Sequence, residues 1–270
     1  MAQAIHYLAF DLGAESGRAI VGRYDGDTLH LETLHRFANG PIAVAGRLYW
    51  DVLRLWAELK QGLARFRGAH GATLDGIGLD AWGVDFALLG ADNGLLANPR
   101  HYRDPRNDGM LEAALARVPR EEIFAATGIQ FMQINTLCQL LAMRVGGDPT
   151  LDVARTFLMI PDLFNYWLTG VKVCEFSDAT TTQFYDPHRC DWARPLLERM
   201  DLPTAMLPPV VAPGTPLGPL LPALAEEVGL HGATVIAPAC HDTGSAVAAV
   251  PVMGTDFAYI SSGTWSLMGV

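Results

Sequence analysis

Residues 7–21 read YLAFDLGAESGRAIV and place a turn rich in glycine and serine between two apolar segments. Residues 257–270 read FAYISSGTWSLMGV and repeat this arrangement at the other end of the chain. Apolar segments that flank a short glycine-containing turn predict a β-hairpin. Because the backbone N–H groups of such a turn can cradle phosphate oxygens, the two hairpins predict two lobes that close on a nucleotide.

The segments around and after the first hairpin predict an α/β domain. Strands are predicted at residues 6–11, 18–24 and 29–36, followed by a helix at 51–68 and a strand at 74–80. Three strands, one helix and a further strand are the opening order of a ribonuclease-H-like, actin-like core. The predicted fold class is therefore α/β, with a mixed sheet flanked by helices.

The middle of the chain is expected to be mainly helical. Prolines between residues 202 and 222 predict a connecting loop, and a buried strand at 234–239 leads into a helix at 245–250. A further short strand is predicted at 84–89. The other helices are predicted at 108–117, 120–127, 136–145, 161–168, 192–200 and 220–228.

The composition argues against several classes of partner. The net charge of −10 disfavours nucleic acid, because binding its phosphates needs clustered Lys and Arg. No apolar run approaches the ~18–20 residues of a membrane span, and the N-terminus lacks the basic region of a signal peptide. The four cysteines form no Cys-x-x-Cys pair, which favours free thiols in a reducing compartment. A cytoplasmic location is the resulting expectation.

Two aspartates stand at strand ends, where a carboxylate can face a cleft. Asp11 ends the first strand, where it would either hold a magnesium ion, directly or through water, or satisfy its own turn. Asp242 follows an apolar strand and precedes a helix of small residues, so it would act as a general base or cap that helix. The pattern alone leaves both roles of Asp11 open and favours the cap for Asp242.

Residues 80–86 read DAWGVDF and place an aromatic ring and a glycine between two predicted strands. Gly83 would let a ligand approach the backbone closely, and aromatic rings commonly line sugar sites. The alternative is a bulged hairpin with a packed Trp82. Residues 101–104, HYRD, would line the same cleft or form a solvated, salt-bridged loop.

Eight segments together resemble the FGGY family of carbohydrate kinases, and they occur in family order from one end of the chain to the other. Each alone is a weak signal, whereas eight in order are specific. Within the family, WGVDF and SGTWS resemble the branch that phosphorylates L-rhamnulose. The eight segments are DLGAESGR (11–18), GLDAWGVDF (78–86), YRD (102–104), TGIQF (127–131), PDLFNYWLTG (161–170), DATTTQ (178–183), HDT (241–243) and SSGTWSLMG (261–269).

The resemblance implies transfer of a phosphoryl group from ATP, with Mg²⁺, to the 1-hydroxyl of L-rhamnulose, giving L-rhamnulose 1-phosphate in rhamnose catabolism. Asp242 matches the family's catalytic base and also a sugar contact, and Asp11 matches the carboxylate near the metal. The other matched sugar contacts are Gly83, His241 and Thr243. The matched ATP contacts are Ala14, Glu15, Ser16, Gly17, Arg18 and Thr264. Glu15 departs from the small residue common at this turn, and its charge would repel phosphates unless it faces solvent or a metal.

The resemblance also implies two domains. Residues 1–250 would form an N-terminal domain with the sugar site and the first phosphate turn, and residues 251–270 would begin a C-terminal ATP-binding domain. The chain by itself is therefore expected to be an incomplete, inactive portion with a sugar and ATP as partners. The alternatives are a kinase for another ketose, such as L-fuculose or D-xylulose, and a non-catalytic sugar-binding remnant. The sequence does not indicate an oligomeric state.

Overall fold

The computed structural model describes residues 5–254, 256–263 and 266–270. In chain order, the strands are β1 (Ile5–Leu12), β2 (Ser16–Tyr24), β3 (Leu29–Ala38), β4 (Ile42–Val44), β5 (Arg47–Tyr49), β6 (Gly76–Ala81), β7 (Phe86–Leu89), β8 (Thr156–Met159), β9 (Cys174–Glu175), β10 (Tyr185–Asp186), β11 (Asp191–Trp192), β12 (Val210–Val211), β13 (Thr215–Pro219), β14 (Thr234–Ala237), β15 (Tyr259–Ser262) and β16 (Ser266–Gly269). The helices are α1 (Val52–His70), α2 (Met110–Leu115), α3 (Arg120–Thr127), α4 (Thr136–Val145), α5 (Thr150–Val153), α6 (Ile160–Thr169), α7 (Phe176–Thr181), α8 (Arg194–Arg199), α9 (Pro222–Val228) and α10 (Asp242–Ala248).

Six of the described strands form one mixed sheet in the order β13-β14-β6-β1-β2-β3. Strands β1, β2 and β3 are an antiparallel meander, whereas β6 and β14 run parallel to β1. Parallel neighbours need a crossover, and α1 supplies it between β3 and β6. This arrangement confirms the predicted α/β class and the predicted ribonuclease-H-like order of three strands, a helix and a further strand.

Helix α1 covers one face of this sheet. Asp51 caps it, as predicted, by accepting a hydrogen bond from the Arg54 N–H at 3.0 Å. Leu55, Leu59 and Leu63, at helical spacing, are fully buried against the sheet. The helix and the sheet approach closely at Gly62, where an added Cβ would lie 2.6 Å from the Phe10 ring.

A second apolar core lies around the β7–β8 pair, outside the main sheet. Phe86 of β7 stacks on Phe157 of β8 with ring centroids 5.0 Å apart. Phe184 and Trp192 pack edge-on against Phe157 and complete an aromatic cluster. The predicted strand at 84–89 is therefore present from Phe86 onward, but it pairs with a strand that the sequence pattern did not reveal.

The region 202–222 corrects a prediction, because it contains strands as well as loop. Strand β13 pairs antiparallel with β14 at the edge of the sheet. Pro216 and Pro219 lie in this strand, and an edge position tolerates proline because one side of the strand needs no N–H donors. Proline content alone thus predicted a loop where the chain forms an edge strand.

No helix in residues 5–254, 256–263 and 266–270 is long and apolar enough to cross a membrane. The four cysteines are free, as predicted; Cys138, Cys174 and Cys240 are buried and Cys190 is exposed.

Candidate functional site

The carboxyl ends of β1, β6 and β14 meet at one edge of the sheet and carry most of the predicted site residues. Asp11 of β1 lies opposite Asp80 of β6 in the parallel register. The Trp82 N–H donates to the Leu12 carbonyl at 3.2 Å, and the Ala81 N–H donates to the Cys240 carbonyl at 2.8 Å. Ligands of open α/β sheets commonly bind in a crevice at this edge.

Gly83 and His241, two predicted sugar contacts, lie against each other. A Cβ added to Gly83 would lie 3.2 Å from His241 Nε2 and 2.8 Å from Thr181 Cγ2. His241 Nε2 is in turn 3.5 Å from the Asp242 carboxylate. The fold therefore brings together residues that are more than 150 positions apart in the sequence. At the point of closest approach, Gly83 presents only its backbone to His241.

Replacing Gly83 by Ala is therefore expected to weaken sugar binding. The added methyl would push the loop away from Thr181 or enter the space in front of His241. Calorimetric titration of L-rhamnulose into the variant should show at least a severalfold lower affinity. Gly78→Ala is the matched control, because its Cβ would meet ordinary contacts at 3.7 Å. Equal affinities of the two variants would contradict a role for the Gly83 backbone.

Asp242 is the first residue of α10, which begins three positions before the predicted helix at 245–250. His241 occupies the N-cap position and makes no side-chain capping bond. The Asp242 carboxylate accepts hydrogen bonds from the Thr243 N–H at 2.6 Å and its hydroxyl at 3.2 Å. Burial raises the pKa of Asp242, opposed by neighbouring His241. The geometry thus disfavours the cap alternative and leaves an oriented carboxylate at the sheet edge.

Burial also lowers the pKa of His241, although the Asp242 carboxylate opposes this shift. A neutral imidazole can both donate and accept a hydrogen bond, which suits contacts with sugar hydroxyls. Thr243 lies beside these residues at the start of α10.

The β1–β2 turn, the predicted phosphate cradle, is held closed by two hydrogen bonds to Gly13. The Gly13 N–H donates to the Ser16 carbonyl at 2.9 Å, and the Asn39 side chain fixes the Gly13 carbonyl at 2.8 Å. Within the described residues, the N–H groups of Ala14 and Glu15 have no hydrogen-bond partner. The Glu15 side chain is exposed, so its charge need not face a bound phosphate.

The other two predicted phosphate contacts of this turn are engaged within the protein. Gly17 is buried, and a Cβ added there would overlap the Phe37 ring, which explains the glycine by packing. Arg18 forms an ion pair with Asp11, the predicted metal carboxylate. The ion pair places the positive charge of Arg18 at the same edge of the sheet as the carboxylate of Asp11.

The terminal hairpin is formed by β15 and β16, with Ser262 opposite Ser266. It confirms the antiparallel pairing predicted for residues 257–270. The predicted ATP contact Thr264 lies outside the described residues.

Asp80 is a site residue that the sequence pattern marked only as part of a motif. Burial, then the nearby charge of Asp11, raises its pKa to about 8, and Asp242 adds to the shift. One of its carboxylate oxygens, Oδ1, is buried without a hydrogen-bond partner. A carboxylate within the apolar strand GLDA was the available signal, since a buried charge is costly unless it is paired.

Asp11, Asp80 and Asp242 bring negative charge to the same edge of the sheet, where a magnesium ion held mainly through water and phosphate would need one of them. Besides burial, the charges of Asp11 and Asp242 raise the pKa of Asp80, and the charge of Asp11 raises the pKa of Asp242; a divalent cation would relieve both shifts. Within the part of the chain that the structure describes, no group of three or more metal-ligating side chains is close enough to share one ion. Mg²⁺ usually keeps several waters and takes one or two carboxylates, so Asp11 alone suffices as its protein partner.

Replacing Asp80 by Asn is expected to stabilise the protein, and increasingly so as the pH rises from about 4 to about 8. The wild-type carboxyl is protonated in both states below its unfolded pKa of about 3.9. Above that pH the folded state must retain the proton or bury a charge, so stability falls until the folded pKa of about 8 is passed. Asn cannot ionise and avoids this loss, which should be on the order of a few kcal/mol at pH 8.

Thermal unfolding at pH 5 and at pH 8 measures this effect. Asp27→Asn is the control, because the Asp27 side chain is exposed and makes no ion pair or hydrogen bond among the described residues. A gap between Asp80→Asn and wild type that does not widen with pH would show that Asp80 is ionised in the folded protein.

Asp85 anchors the loop that carries Gly83. Its buried carboxylate accepts hydrogen bonds from the indole N–H groups of Trp50 and Trp82, from the Gln139 amide at 2.9 Å and from the Tyr102 N–H at 3.3 Å. Burial raises the pKa of Asp85 to about 6, against the effect of these four donors. Trp82 is packed in the core, but the bulged-hairpin alternative for this segment was wrong, because β6 pairs with β1 and β14 whereas β7 pairs with β8.

The segment 101–104 is largely buried, so the alternative of a solvated loop was wrong, although the salt bridges that it included are present between Asp104 and both Arg47 and Arg100. His101 stacks on the Trp50 ring with centroids 4.3 Å apart, and burial lowers its pKa to about 4. Asp104 is 1% exposed and accepts a hydrogen bond from the Leu48 N–H at 2.7 Å. Arg103 is the exposed member of the segment.

Known proteins resemble this chain in sequence and in structure. The profile of the N-terminal domain of the FGGY family of carbohydrate kinases matches residues 6–249. A protein named rhamnulokinase from Bacteroides thetaiotaomicron is 43% identical over 265 residues, which are 98% of this chain and 54% of that protein. A rhamnulokinase from Halalkalibacterium halodurans is also 43% identical, over 97% of this chain and 56% of its own length. The chain thus spans about half the length of the curated relatives it matches.

Solved structures agree on the fold. A carbohydrate kinase from Novosphingobium aromaticivorans superposes with a TM-score of 0.80 at 23% identity, covering 99% of this chain and 56% of the other. A ligand-bound xylulose kinase from Lactobacillus acidophilus gives 0.76 at 16% identity, over 86% and 47% of the two chains. The profile match covers most of the chain, and the fold and the order of the motifs agree with it: this chain belongs to the FGGY family of carbohydrate kinases.

Proposed function

We propose that this chain forms the sugar-binding part of a kinase that transfers the γ-phosphoryl group of ATP to the 1-hydroxyl of L-rhamnulose. The observation that carries the proposal is the convergence of Gly83, His241 and Asp242 at one edge of the sheet. The choice of L-rhamnulose is supported by the relatives named rhamnulokinase, at about 40% identity over nearly the whole chain.

Asp242 would act as the general base. Its Oδ1 atom is oriented by both donors of Thr243, so a sugar hydroxyl can be met in a fixed direction. As the hydroxyl oxygen bonds to the γ-phosphorus, its proton passes to the carboxylate and the bond to the β-phosphate oxygen breaks, releasing ADP. A raised pKa brings the base closer to the operating pH, where such proton transfer is most effective.

The β1–β2 turn would hold the phosphates of ATP. The free N–H groups of Ala14 and Glu15 supply donors, Ser16 adds a hydroxyl, and Arg18 adds a positive charge once phosphate competes for it. Asp11 would hold Mg²⁺ through water; bound there, the ion would neutralise charge on the phosphates. Gly17 and Thr264 remain proposed contacts from the family resemblance.

Two further proposals concern the division of the chain into domains. Residues 1–250 would form the sugar-binding domain and residues 251–270 would start the ATP-binding domain. The location of the boundary is supported by the end of α10 at Ala248 and by β15 and β16, which pair only with each other among the described strands.

Phosphorylation tests the proposed function most fully when a complete active site is present. This chain would therefore be joined to the C-terminal half of the Bacteroides thetaiotaomicron relative, and ATP-dependent phosphorylation would be assayed with L-rhamnulose, L-fuculose and D-xylulose. We expect L-rhamnulose to give the highest kcat/KM. Preference for another ketose would reassign the substrate within the family. Absence of phosphorylation, with that relative's own halves active when joined in the same way, would favour a non-catalytic sugar-binding protein.

A further inference from the structure

Val84, next to Gly83, has a backbone conformation that a β-branched residue rarely adopts, with φ at +69°. Three hydrogen bonds hold the backbone of Val84 in place. The Val84 N–H donates to Thr181 Oγ1 at 2.9 Å, and its carbonyl accepts from Thr136 Oγ1 at 2.7 Å and from Gln139 Nε2 at 3.1 Å. Strained residues persist only where their surroundings over-determine them, and they cluster at functional sites. Thr181 is thus part of what keeps the Gly83 backbone facing His241.

The residues just before Asp242 are held in a similar way from the same part of the chain. The Cys240 N–H donates to Glu175 Oε2 at 2.8 Å, and the His241 N–H donates to Ser177 Oγ at 3.1 Å. The Ser177 hydroxyl donates in turn to the Glu175 carboxylate. Two consecutive backbone groups at the strand-to-helix corner are therefore fixed by one buried acid and its serine neighbour.

One bond of the first set, from Val84 to Thr181, and both bonds of the second set involve residues 175–181, the end of β9 together with α7. This is a rigid unit: Thr181 Oγ1 donates to the Asp178 carbonyl at 2.7 Å, and the Glu175 N–H donates to the buried Asp162 carboxylate at 3.1 Å. Residues 175–181 thus bond to both of the loops that the proposed function assigns to the sugar, and α4 holds the Val84 carbonyl from the other side.

We propose that residues 175–181 are a clamp segment that positions the sugar site, with Thr181 as the positioning residue for Gly83 and the pair Glu175–Ser177 as the positioning residues for Asp242. The clamp segment touches the loops through backbone groups, so it acts on the geometry of the site rather than on the sugar. The proposal deepens the proposed function and rests on it for the identity of the ligand.

Thr181→Val tests the clamp directly, because Val keeps the shape of Thr and loses the oxygen that accepts from Val84. Two changes are expected: faster hydrogen exchange at the Val84 amide, and about five- to tenfold weaker binding of L-rhamnulose to the chain, the effect of losing one hydrogen bond. Thr181→Ser restores the acceptor and should restore both. In the joined protein, Thr181→Val should raise KM more than it lowers kcat.

Thr180→Val is the matched control. It makes the same substitution one residue earlier in α7, where the hydroxyl donates to the Ser177 carbonyl and makes no hydrogen bond to either loop among the described residues. Its amide exchange at Val84 and its sugar affinity should equal those of the wild type. Ser177→Ala extends the test to the other loop, where exchange at the His241 amide should rise.

The outcomes separate the clamp from the proposed function. If Thr181→Val behaves like Thr180→Val in both exchange and affinity, the clamp proposal is wrong. If the wild type binds no ketose, the proposed ligand is wrong; the clamp then stands if Thr181→Val and Ser177→Ala speed exchange at their own loops, and falls if they do not.

Discussion

Replacement of Asp242 by Asn is expected to lower the rate of L-rhamnulose phosphorylation by ~10²–10⁴-fold, the usual contribution of a positioned general base. Asn has nearly the shape of Asp and can still accept from Thr243, so the corner before α10 should keep its geometry. It cannot take the proton of the attacking hydroxyl. The measurement is steady-state phosphorylation by the chain joined to the C-terminal half of its relative.

Sugar binding separates lost chemistry from a lost site. Titration of L-rhamnulose into the Asp242→Asn chain should give an affinity within a few fold of the wild type, because Gly83 and His241 are unchanged. Asp27→Asn, at an exposed aspartate in the turn between β2 and β3, controls for the substitution itself. A variant that keeps more than a tenth of the wild-type kcat would contradict the role of Asp242 as the base.

Replacement of Asp85 by Asn is expected to destabilise the protein by about 3 kcal/mol, since hydrogen bonds to a buried charge contribute ~1.5–3 kcal/mol each and several are affected. The wild-type carboxylate accepts from two indoles, one side-chain amide and one backbone N–H. An Asn side chain turns half of this acceptor into an N–H₂ group that faces other donors. Urea unfolding at pH 7 measures the loss.

The control for Asp85 is again Asp27→Asn, for which a change within about 0.5 kcal/mol is expected. Because Asp85 anchors Trp82 and the Gly83 loop, its loss should also weaken sugar binding in the fraction that remains folded. Equal unfolding free energies of Asp85→Asn and wild type would show that the carboxylate is not the acceptor for these four donors.

Local sequence patterns were sufficient to predict the first half of the sheet. Strands β1 to β3 are adjacent in the chain and joined by short turns, and the apolar spacing of α1 marks the face that packs on them. Strand β13 could not be recognised because its prolines resemble a loop, and only its position at the sheet edge makes them tolerable.

The site was predicted from motifs, but its geometry was not. Gly83 meets His241 because β6 and β14 lie side by side in parallel, a pairing across more than 150 residues that no local pattern encodes. Asp80 and Asp85 fell within a recognised motif. Their spacing did not indicate that Asp80 would have an unpaired buried oxygen or that four donors would converge on Asp85. Only residues 178–181 of the clamp segment lay within a family motif, and Glu175 and Ser177 were not noticed, since their contacts are made to backbone groups of distant loops.

Titration calorimetry of L-rhamnulose into this chain is the most direct test of the account, whose central claim is that these residues hold the sugar. L-Fuculose and D-xylulose serve as comparators, and ATP with Mg²⁺ is titrated in a separate run. We predict saturable binding that is tightest for L-rhamnulose and is weakened by Gly83→Ala. A thermal unfolding transition would first show that the protein is folded. If that folded protein binds none of the three ketoses, the claim that the edge formed by β1, β6 and β14 of this chain is the sugar site is contradicted.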